Sequence, residues 1–507
     1  MITDYQRYRL YEILPGLSVW LTFVLGIFFS WYRPIVVIYL IILFDIYWVL
    51  KVVNYVVYLL IASRRYHITT RIDWKAKLAH EIADYQRYHH VIFLPIYNES
   101  WDVVKTTIES ISASAYDPKQ FTLVVTGEAR MGKHAKELFT YINQTFARQF
   151  SDIVTVLHPA HLPDEIPGKG SNIHYAEQQM KPYIDKNEWN YANVIVTVFD
   201  TDTICHDQYF AHLTHLYARH PRPTRSSFQP VALYNNNLWE SPAILRVMAF
   251  GTTFWMMTSL ARQDALVTFS SHSMSWQAIV DAGFHDKRIV SEDSRIFYQC
   301  LLAYNGDYEV TPMYLPVSMD TVRDDSWQTS VKNLYKQQRR WAWGAEHIPF
   351  LMWEFGKKGK EFPFWKKFKW VFVEWEGKWS WALVPIILTL FGRLPLWFAS
   401  ERVPDWLRSP QDIAASALFV NAPHLLGQLM TLAMAGLLVS ALLSFPLLPQ
   451  RPSSHPKHLY IVMVLQWLLL PISMIFIGSL PALDALTHMM RGKYLGFNVS
   501  QKKRQQI

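Results

Sequence analysis

Long apolar runs stand near both ends of the chain, and between them short apolar runs alternate with amphipathic stretches. The first two long runs cover residues 14–32 and 35–62, with Arg33-Pro34 as a tight turn between them. Each is long enough to cross a hydrocarbon core, which takes about 20 residues of helix. The pattern predicts a transmembrane hairpin within residues 1–65.

Three further apolar runs near the C-terminus predict additional spans at 379–398, 417–448 and 459–480. The stretch before them mixes Trp and Phe with Lys, which is typical of an amphipathic helix on the bilayer surface. We therefore expect an interfacial segment over residues 346–378, transmembrane helices over 379–482 and a basic tail over 483–507. Three spans after a cytoplasmic domain would leave this tail outside, whereas its Lys and Arg residues favour the cytoplasm. The number of spans therefore stays open.

Residues 66–345 have the pattern of an α/β domain. Continuous Val/Ile runs at 90–96, 121–125, 153–157 and 194–199 indicate buried parallel strands, and helix-like stretches lie between them. This alternation predicts βαβ units in a wound sheet, whose ligands bind at the carboxyl ends of the strands. The apolar run at 243–260 contains Arg246, so we expect a buried or membrane-surface helix there and not a span.

Composition and charge favour a membrane protein whose central domain faces the cytoplasm. Hydrophobic residues make up 51% of the chain and charged residues only 18%. The net charge of +8 comes largely from Lys and Arg clustered beside the apolar runs, which favours a lipid bilayer and not nucleic acid as the partner. The two cysteines, Cys205 and Cys300, suggest neither a disulfide framework nor a zinc motif, as expected in a reducing compartment. We predict a multi-pass protein of the plasma or inner membrane.

An acidic pair follows the strand predicted at 194–199. Asp200 and Asp202 are two residues apart, so in an extended segment both side chains point to the same side. Such carboxylates can hold Mg²⁺, which proteins bind through one or two carboxylates together with phosphate oxygens. Solvated aspartates in a turn are the alternative.

A second acidic group stands at Ser291-Glu292-Asp293, before a helix-like run. A carboxylate there can act as a general base that takes a proton from an attacking hydroxyl. The alternative is that Ser291 or Asp293 caps the helix. We favour Asp293 over Glu292 as the base in the context of the other motifs.

Two further strings offer cations. Gln337 and Arg340 are three residues apart on a helix face, and Trp341 follows them. Arg340 can bind a diphosphate in a bidentate manner, Trp341 can stack on a sugar ring and Gln337 can hydrogen-bond hydroxyls. A basic amphipathic helix on the bilayer is the alternative, and both roles are compatible. The loop Gly168-Lys169-Gly170 lets backbone and a cation approach phosphate, although a flexible surface turn is the commoner explanation.

Taken in order, these strings resemble the motifs of the processive, membrane-embedded family 2 glycosyltransferases, the group of cellulose, hyaluronan and chitin synthases. The resemblance covers residues 90–345 by motif and the flanking spans by architecture. The matching strings are Pro95-Ile96-Tyr97-Asn98-Glu99, Asp200-Thr201-Asp202, Ser291-Glu292-Asp293, Gln337-x-x-Arg340-Trp341 and a tail string at 497–502.

The chain departs from the family where an Asp-Asp pair usually follows the second strand and reads the base and ribose of the nucleotide. Here the string is Val-Val-Thr-Gly-Glu-Ala-Arg over residues 124–130, in which Glu128 is the candidate substitute. The acceptor-side stretch at 269–276 also differs from the common form. The identity of the nucleotide and of the sugar therefore stays open.

Together, the motifs and the resemblance imply a role for each candidate residue. Asp293 is the expected catalytic base, and Asp202 is the expected ligand of a Mg²⁺ or Mn²⁺ ion. The expected donor-binding residues are Pro95, Tyr97, Glu99, Glu128, Lys169, Asp200 and Arg340, and the expected acceptor-binding residues are Gln337 and Trp341.

The resemblance implies a GT-A-type α/β domain inserted between transmembrane helices. Its expected activity is inverting transfer of a sugar from a UDP- or GDP-sugar to a growing polysaccharide, which some members also extrude through their own spans. One alternative is transfer of a single sugar to a lipid carrier, so the acceptor is a glycan or a lipid-linked molecule. Another is a membrane transporter with a degenerate cytoplasmic domain, suggested by Asp45 in a predicted span and by the missing Asp-Asp pair.

Overall fold

The computed structural model describes residues 3–392, 394–400 and 439–496, with isolated positions between 424 and 436. Two long helices open the chain, α1 (Asp4–Tyr32) and α2 (Pro34–Thr69). Pro34 stands in the first turn of α2, where the N–H that it lacks has no helical partner in any case. The chain therefore reverses at Arg33, as the sequence predicts.

The central region alternates strands and helices, which confirms the predicted α/β domain. Its strands are β1 (His89–Pro95), β2 (Phe121–Glu128), β3 (Asp152–His158), β4 (Val194–Val198), β5 (Ile204–Cys205), β6 (Ser226–Leu233), β7 (Ser273–Ser275) and β8 (Glu309–Ser318). Its helices are α3 (Trp74–Glu81), α4 (Trp101–Ser112), α5 (Lys133–Phe146), α6 (Lys169–Lys186), α7 (Tyr209–Arg219), α8 (Ala243–Ala261), α9 (Trp276–Asp281), α10 (Glu292–Ala303) and α11 (Trp327–Ala342).

The strands form one mixed sheet in the order β3-β2-β1-β4-β7-β6-β8-β5. β1 pairs in parallel with β2 and with β4, and β2 pairs in parallel with β3. β7 is antiparallel to its neighbours β4 and β6, so β6 and its parallel neighbour β8 run in the direction of β1. The carboxyl ends of β1, β2, β4, β6 and β8 therefore lie at one edge of the sheet.

Two hydrophobic clusters cover the two faces of this sheet. Val91 and Phe93 of β1 belong to one cluster, and Ile92 and Leu94 belong to the other, because successive side chains of a strand point to opposite faces. All four are fully buried, which explains the continuous apolar run in the sequence. Leu59 of α2 lies in the first cluster, so the second N-terminal helix packs onto the domain.

Four helices among the described residues are long and apolar enough to cross a membrane: α1, α2, α8 and α15 (Leu459–Met490). Most residues of α8 are buried, and α8 packs against α2 and β6. The Arg246 guanidinium donates to Gln466 Oε1 (2.7 Å) and to the Ser241 carbonyl oxygen (2.8 Å). These contacts agree with the first of the two predicted alternatives, a buried helix, although the length and composition of α8 also make it a candidate span, which the sequence analysis did not expect.

The segment between α11 and α15 differs from the predicted division. It contains α12 (His347–Lys358), α13 (Phe364–Ile386), a π turn (Ile387–Phe391) and α14 (Leu394–Ser400). α13 continues without a break across the predicted boundary at 378, so the span predicted at 379–398 is divided among α13, the π turn and α14. Half of the span predicted at 417–448 lies outside the described residues, and the tail string at 497–502 lies wholly outside them.

A third hydrophobic cluster joins the apolar helices to the end of α11. It contains Val19 of α1, Ile41 of α2, Leu383 of α13, Leu486 of α15 and Ala342 of α11, all buried. The helix that carries the Gln-x-x-Arg-Trp motif is therefore fixed directly against the candidate membrane spans.

Candidate active site

The candidate site begins where β1 and β4 end side by side. Thr201 Oγ1 donates a hydrogen bond to the Pro95 carbonyl oxygen (2.7 Å), and Thr107 Oγ1 of α4 donates to the Thr201 carbonyl oxygen (2.6 Å). Both threonines are buried. These bonds hold the turn that carries Asp200 and Asp202 against the end of β1, so the first two motifs are neighbours.

The two aspartates of this turn have different surroundings. Asp200 is partly exposed, and its Oδ2 accepts a hydrogen bond from the Ser270 hydroxyl (2.6 Å). Asp202 is buried, and its Oδ2 accepts from the backbone N–H of Asp320 (2.7 Å), just beyond β8. Asn236 Nδ2 donates to the Asp202 carbonyl oxygen (3.1 Å) and to Asp320 Oδ1 (2.9 Å). Segments that follow β4, β6 and β8 thus meet at Asp202.

Lys169 connects this turn to the second acidic motif. Its Nζ lies 2.7 Å from Asp200 Oδ1, 2.8 Å from Asp293 Oδ1 and 3.3 Å from Glu292 Oε1. Burial alone would lower the pKa of Lys169, but the charges of Asp200, Asp293 and Glu292 raise that pKa well above its ordinary value. The next residue must be small, because a Cβ on Gly170 would lie 3.2 Å from the Glu292 Cβ.

The second acidic motif opens α10. Ser291 precedes the helix, but its hydroxyl donates to Glu346 Oε1 (2.7 Å) and does not cap the helix. The Asp293 carbonyl oxygen accepts a hydrogen bond from Thr268 Oγ1 (2.6 Å). The Glu292 side chain is only 4% exposed, whereas that of Asp293 is 24% exposed. Burial, and next the charge of Asp293, raise the pKa of Glu292.

Tyr234, which follows β6, lies among the charged groups of three motifs. Burial raises the pKa of Tyr234 strongly, the charges of Asp200, Asp202 and Asp293 raise it further, and the charge of Arg340 opposes them. By direct contact, Lys169 brings Asp200 together with Asp293, although these two residues are 93 positions apart in the chain, and Asp202 stands two residues from Asp200.

The end of α11 forms one wall of this space. The Trp341 ring lies 5.9 Å from the Tyr234 ring, centroid to centroid. Gln337, Trp341 and Tyr234 line a common small cavity of about 20 Å³. From the other side, Lys378 Nζ of α13 donates to the Trp341 carbonyl oxygen (3.3 Å) at the end of the helix.

The first motif and the end of β2 form a separate cluster at the same sheet edge. Glu99 Oε2 accepts a hydrogen bond from the Tyr97 backbone N–H (2.6 Å). The Arg130 guanidinium lies 4.5 Å from the centre of the Tyr97 ring and pairs with the Glu128 carboxylate, with Nη2 to Oε1 at 2.8 Å. Glu128 is buried, whereas Arg130 is partly exposed, so the exposed member of this pair is the guanidinium.

Sequence reasoning missed Tyr234, Asn236 and Asp320. The signal was available in principle, because each stands in a segment that directly follows a strand directed toward the same sheet edge. Their strands were not predicted, so the polar residues after them could not be assigned to the site.

Carboxylates dominate this edge, but they form no complete metal cage. Among the residues that the structure describes, no three His, Cys, Asp or Glu side chains are grouped as ligands of one ion. Asp202 and Asp320 are joined through Oδ2 and a backbone N–H, and Asp200 stands two residues away. This set suits a hard cation that takes one or two protein carboxylates and completes its shell with water or phosphate oxygens.

No known family model and no curated protein matches the chain. Among solved structures, a mannosyltransferase from Pyrobaculum calidifontis in complex with GDP-Man and Mn²⁺ shares 13% identity over 76% of this chain and 98% of its own, with a TM-score of 0.41. TarS of S. aureus, residues 1–349, in complex with UDP-GlcNAc shares 11% identity over 62% of this chain and 87% of its own, with a TM-score of 0.31. A second structure of TarS 1–349 shares 10% identity over 68% of this chain and 90% of its own, with a TM-score of 0.29. All three TM-scores lie below 0.5, so the likeness assigns neither a family nor an activity to this chain.

Proposed function

We propose that this chain is a membrane-bound glycosyltransferase with a GT-A-type domain, which transfers a sugar with inversion from a nucleoside-diphosphate sugar to a growing polysaccharide. The observation that carries the proposal is the arrangement around Tyr234. Lys169 joins Asp200 to Asp293 there, and the ring of Trp341, which follows Arg340, packs beside Tyr234 at the carboxyl edge of a parallel set of strands. Ligands of open α/β sheets bind at this edge.

The donor lies along the strand ends in this proposal. The Tyr97 ring, backed by Arg130 and Glu128, offers a flat surface for the nucleobase, and Pro95 and Glu99 shape the turn around it. The diphosphate lies between Lys169 and Arg340, because a guanidinium and an ammonium can pair with phosphate oxygens. A UDP- or a GDP-sugar meets these requirements equally.

The balance of charge supports a divalent cation in this site. Around Lys169 and Arg340, the carboxylates outnumber these two cations. The carboxylates are those of Asp200, Asp202, Glu292, Asp293 and Asp320. Asp202 would hold Mg²⁺ or Mn²⁺, with Asp200 or Asp320 beside it. When bound, the ion would neutralise charge on the departing nucleoside diphosphate.

Asp293 is the proposed base. Its carboxylate is the more exposed of the two at the start of α10, so an acceptor hydroxyl can reach it, whereas Glu292 is buried behind it. Lys169 Nζ at 2.8 Å and the bond from Thr268 to the Asp293 carbonyl oxygen fix its position. Trp341 and Gln337, on the wall formed by α11, are the proposed contacts of the acceptor sugar.

The exposed apolar surfaces of α1 and α2 support a location of the chain in a membrane. Side chains such as Leu21 and Val24 of α1 and Leu43 of α2 are apolar and largely exposed, as expected of surfaces that face lipid. We infer a plasma or inner membrane protein whose catalytic domain lies in the cytoplasm, where buried free thiols such as Cys205 and Cys300 stay reduced.

Transfer from radiolabelled UDP- and GDP-sugars by the detergent-purified chain tests this proposal. We expect Mg²⁺- or Mn²⁺-dependent transfer from one donor, lost in Asp202→Ala and in Asp293→Asn. Asp164→Asn is the matched control, because Asp164 is exposed and has φ of +57°, a conformation that asparagine tolerates. Wild-type rates in the first two variants would reject the site.

Product size separates the two acceptors that the sequence leaves open. A ladder or a long polymer supports a polysaccharide synthase. One sugar per lipid molecule would replace that label with transfer to a lipid carrier, while leaving the donor site as proposed.

A further inference from the structure

A cavity of about 360 Å³ lies outside the candidate active site, where α1, α11 and α15 meet. Trp20 of α1 and Leu480 and Leu483 of α15 form its apolar part. Arg491 and Lys493, beyond the end of α15, form its cationic part beside His488. The chemistry of the cavity therefore changes from one end to the other.

This change follows the axis of a candidate membrane span. α15 is long and apolar enough to cross a bilayer, and Leu480 and Arg491 are separated by about 16 Å along a helix that rises 1.5 Å per residue. This length is comparable to the distance from the hydrocarbon region of one bilayer leaflet to its headgroup region. The cationic end therefore belongs at the membrane surface and the apolar end in the hydrocarbon.

The acidic residue of the cavity is already neutralised. Asp484 Oδ2 lies 2.9 Å from Arg339 Nη1 of α11, and Asp484 Oδ1 lies 2.7 Å from His488 Nδ1. Tyr335, also of α11, donates a weaker hydrogen bond to Asp484 (3.4 Å). No negative charge of the lining remains to oppose Arg491 and Lys493.

Arg491 and Lys493 are also not needed to cap the helix. The Arg9 guanidinium of α1 donates to the carbonyl oxygens of Met489 (2.8 Å) and Met490 (2.5 Å) at the end of α15. Among the residues that the structure describes, the exposed side chains of Arg491 and Lys493 form no ion pair and no hydrogen bond. Two uncommitted cations thus stand at the polar end of an apolar cavity.

We propose that this cavity binds a lipid whose anionic head group is a phosphate monoester, with Arg491 and Lys493 on the phosphate and with the lipid chain along Trp20, Leu480 and Leu483. The pairing of an anionic oxygen group with an apolar chain is what the two ends require. An acyl phospholipid and an isoprenoid phosphate share this chemistry. The site is independent of sugar transfer, although the Arg339–Asp484 ion pair connects it to the helix that carries Gln337 and Trp341.

Native mass spectrometry of the full chain in neutral detergent measures this binding. The probes are dioleoyl phosphatidic acid, a polyprenyl phosphate, inorganic phosphate and dioleoyl phosphatidylcholine. We expect one or both lipid phosphates to bind, and the Arg491→Gln, Lys493→Gln double variant to bind them at least about tenfold more weakly. The matched control is Lys360→Gln, Lys457→Gln, which removes two exposed lysines elsewhere and should bind as wild type does.

A second variant tests the apolar end without changing charge. Leu483→Trp fills the cavity, and we expect weaker binding of both lipid phosphates with an unchanged unfolding temperature in detergent alone. Preference for one lipid phosphate identifies the chain type. Equal binding by wild type and the charge variant, equal binding of phosphatidylcholine, or full competition by inorganic phosphate at the same concentration would each overturn the proposal.

Discussion

Lys169 holds the carboxylates of the acidic cleft together. Its ammonium contacts Asp200, Asp293 and Glu292, and only 12% of its side chain is exposed. We expect Lys169→Met to lower the free energy of unfolding by about 3 kcal/mol, since removing one member of a buried ion pair leaves its partners uncompensated. Donor binding should be lost as well.

Thermal unfolding and nucleotide-sugar binding, both in detergent, check this expectation. Lys181→Met is the matched control on the same helix, because Lys181 pairs with Asp185 at the surface. An exposed pair of this kind contributes roughly 0 to 1 kcal/mol. If both variants unfold at the same temperature, the cleft does not depend on Lys169.

Glu292 gives the site a pH dependence whose sign can be worked out. Burial, and next the charge of Asp293, raise the pKa of Glu292 in the folded chain. A carboxyl whose pKa is higher in the folded than in the unfolded chain stabilises the fold most at a pH below the ordinary glutamate pKa of about 4.3. This stabilisation is lost as the pH rises through the pKa that the carboxyl has in the folded chain. We expect Glu292→Gln to be more stable than wild type at pH 8, with a smaller difference at pH 5.

Unfolding temperatures at the two pH values measure this difference. If the difference in unfolding temperature between Glu292→Gln and wild type is the same at both pH values, or larger at pH 5, a raised pKa of Glu292 is not its cause. Sugar transfer by the same variant is informative too, since the proposed base Asp293 is retained and activity should persist.

The motif residues could be found from the sequence because each stands in a short string with a recognisable chemical combination. Tyr234 and Asp320 could not, because a lone tyrosine or aspartate after a strand has many possible roles. Only the sheet order shows that the segments after β6 and β8 reach the end of β4. Their contribution comes from long-range pairing, which leaves no local pattern.

At the scale of the elements, the contact between the start of α6 and the start of α10 sets the distance between Lys169 and the carboxylates of Glu292 and Asp293. A Cβ at Gly170 would lie 3.1 Å from the Asp286 carbonyl oxygen and 3.2 Å from the Glu292 Cβ. We expect Gly170→Ala to push the two helix starts apart, to destabilise the chain by roughly 1 to 3 kcal/mol and to reduce transfer more than stability alone explains.

Gly251→Ala in α8 is its control, since nothing lies within 4 Å of the added Cβ there. In a helix interior that change should stabilise by up to about 1 kcal/mol. Chemical unfolding and transfer rates on the two variants decide the matter: equal effects would mean that the close approach at Gly170 is tolerated.

The predictability of the strands follows from their composition. β1 to β4 contain the four predicted apolar runs, and β1, β2 and β4 are buried as the sequence predicts. The prediction of burial was wrong for most of β3, because this strand lies at the edge of the sheet. β6 contains Pro230, and β8 contains Pro312 and Pro316, residues that argue against a central strand. The pairing of β6 with β8 shifts register between Gln229 and Val231, and this irregularity accommodates Pro230. The shift depends on the packing of the two strands, so the sequence alone did not predict it.

At the scale of the whole molecule, the α/β domain and the candidate membrane helices share their hydrophobic cores. Leu59 of α2 and Leu351 and Phe355 of α12 belong to the same cluster as β1 and β4 of the sheet. The third cluster joins Ala342 at the end of α11 to α1, α13 and α15. The segment expected to lie on the bilayer as a separate unit, residues 346–378, therefore also completes the domain.

This shared core predicts that a fragment cut at the sequence-derived boundaries, residues 66–345, is not stable by itself. Among the side chains that it lacks are five large ones that are at most 7% exposed in the full chain, namely Leu59, Leu351, Phe355, Phe362 and Trp370. Burying each such side chain contributes roughly 1.5 to 3 kcal/mol. Together they approach the whole 5 to 15 kcal/mol that typically stabilises a domain.

The longer fragment 55–375 retains all five side chains and is the matched comparison. Both fragments lack most of the apolar helices, so differences between them in detergent report on the domain core and not on the loss of the membrane anchor. We expect 55–375 to unfold in one cooperative transition and to resist trypsin, whereas 66–345 is digested rapidly and shows no transition. Equal protease resistance and equal unfolding temperatures would mean that the domain ends where the sequence alone places its boundary, because the helices beyond it would then add nothing to its core.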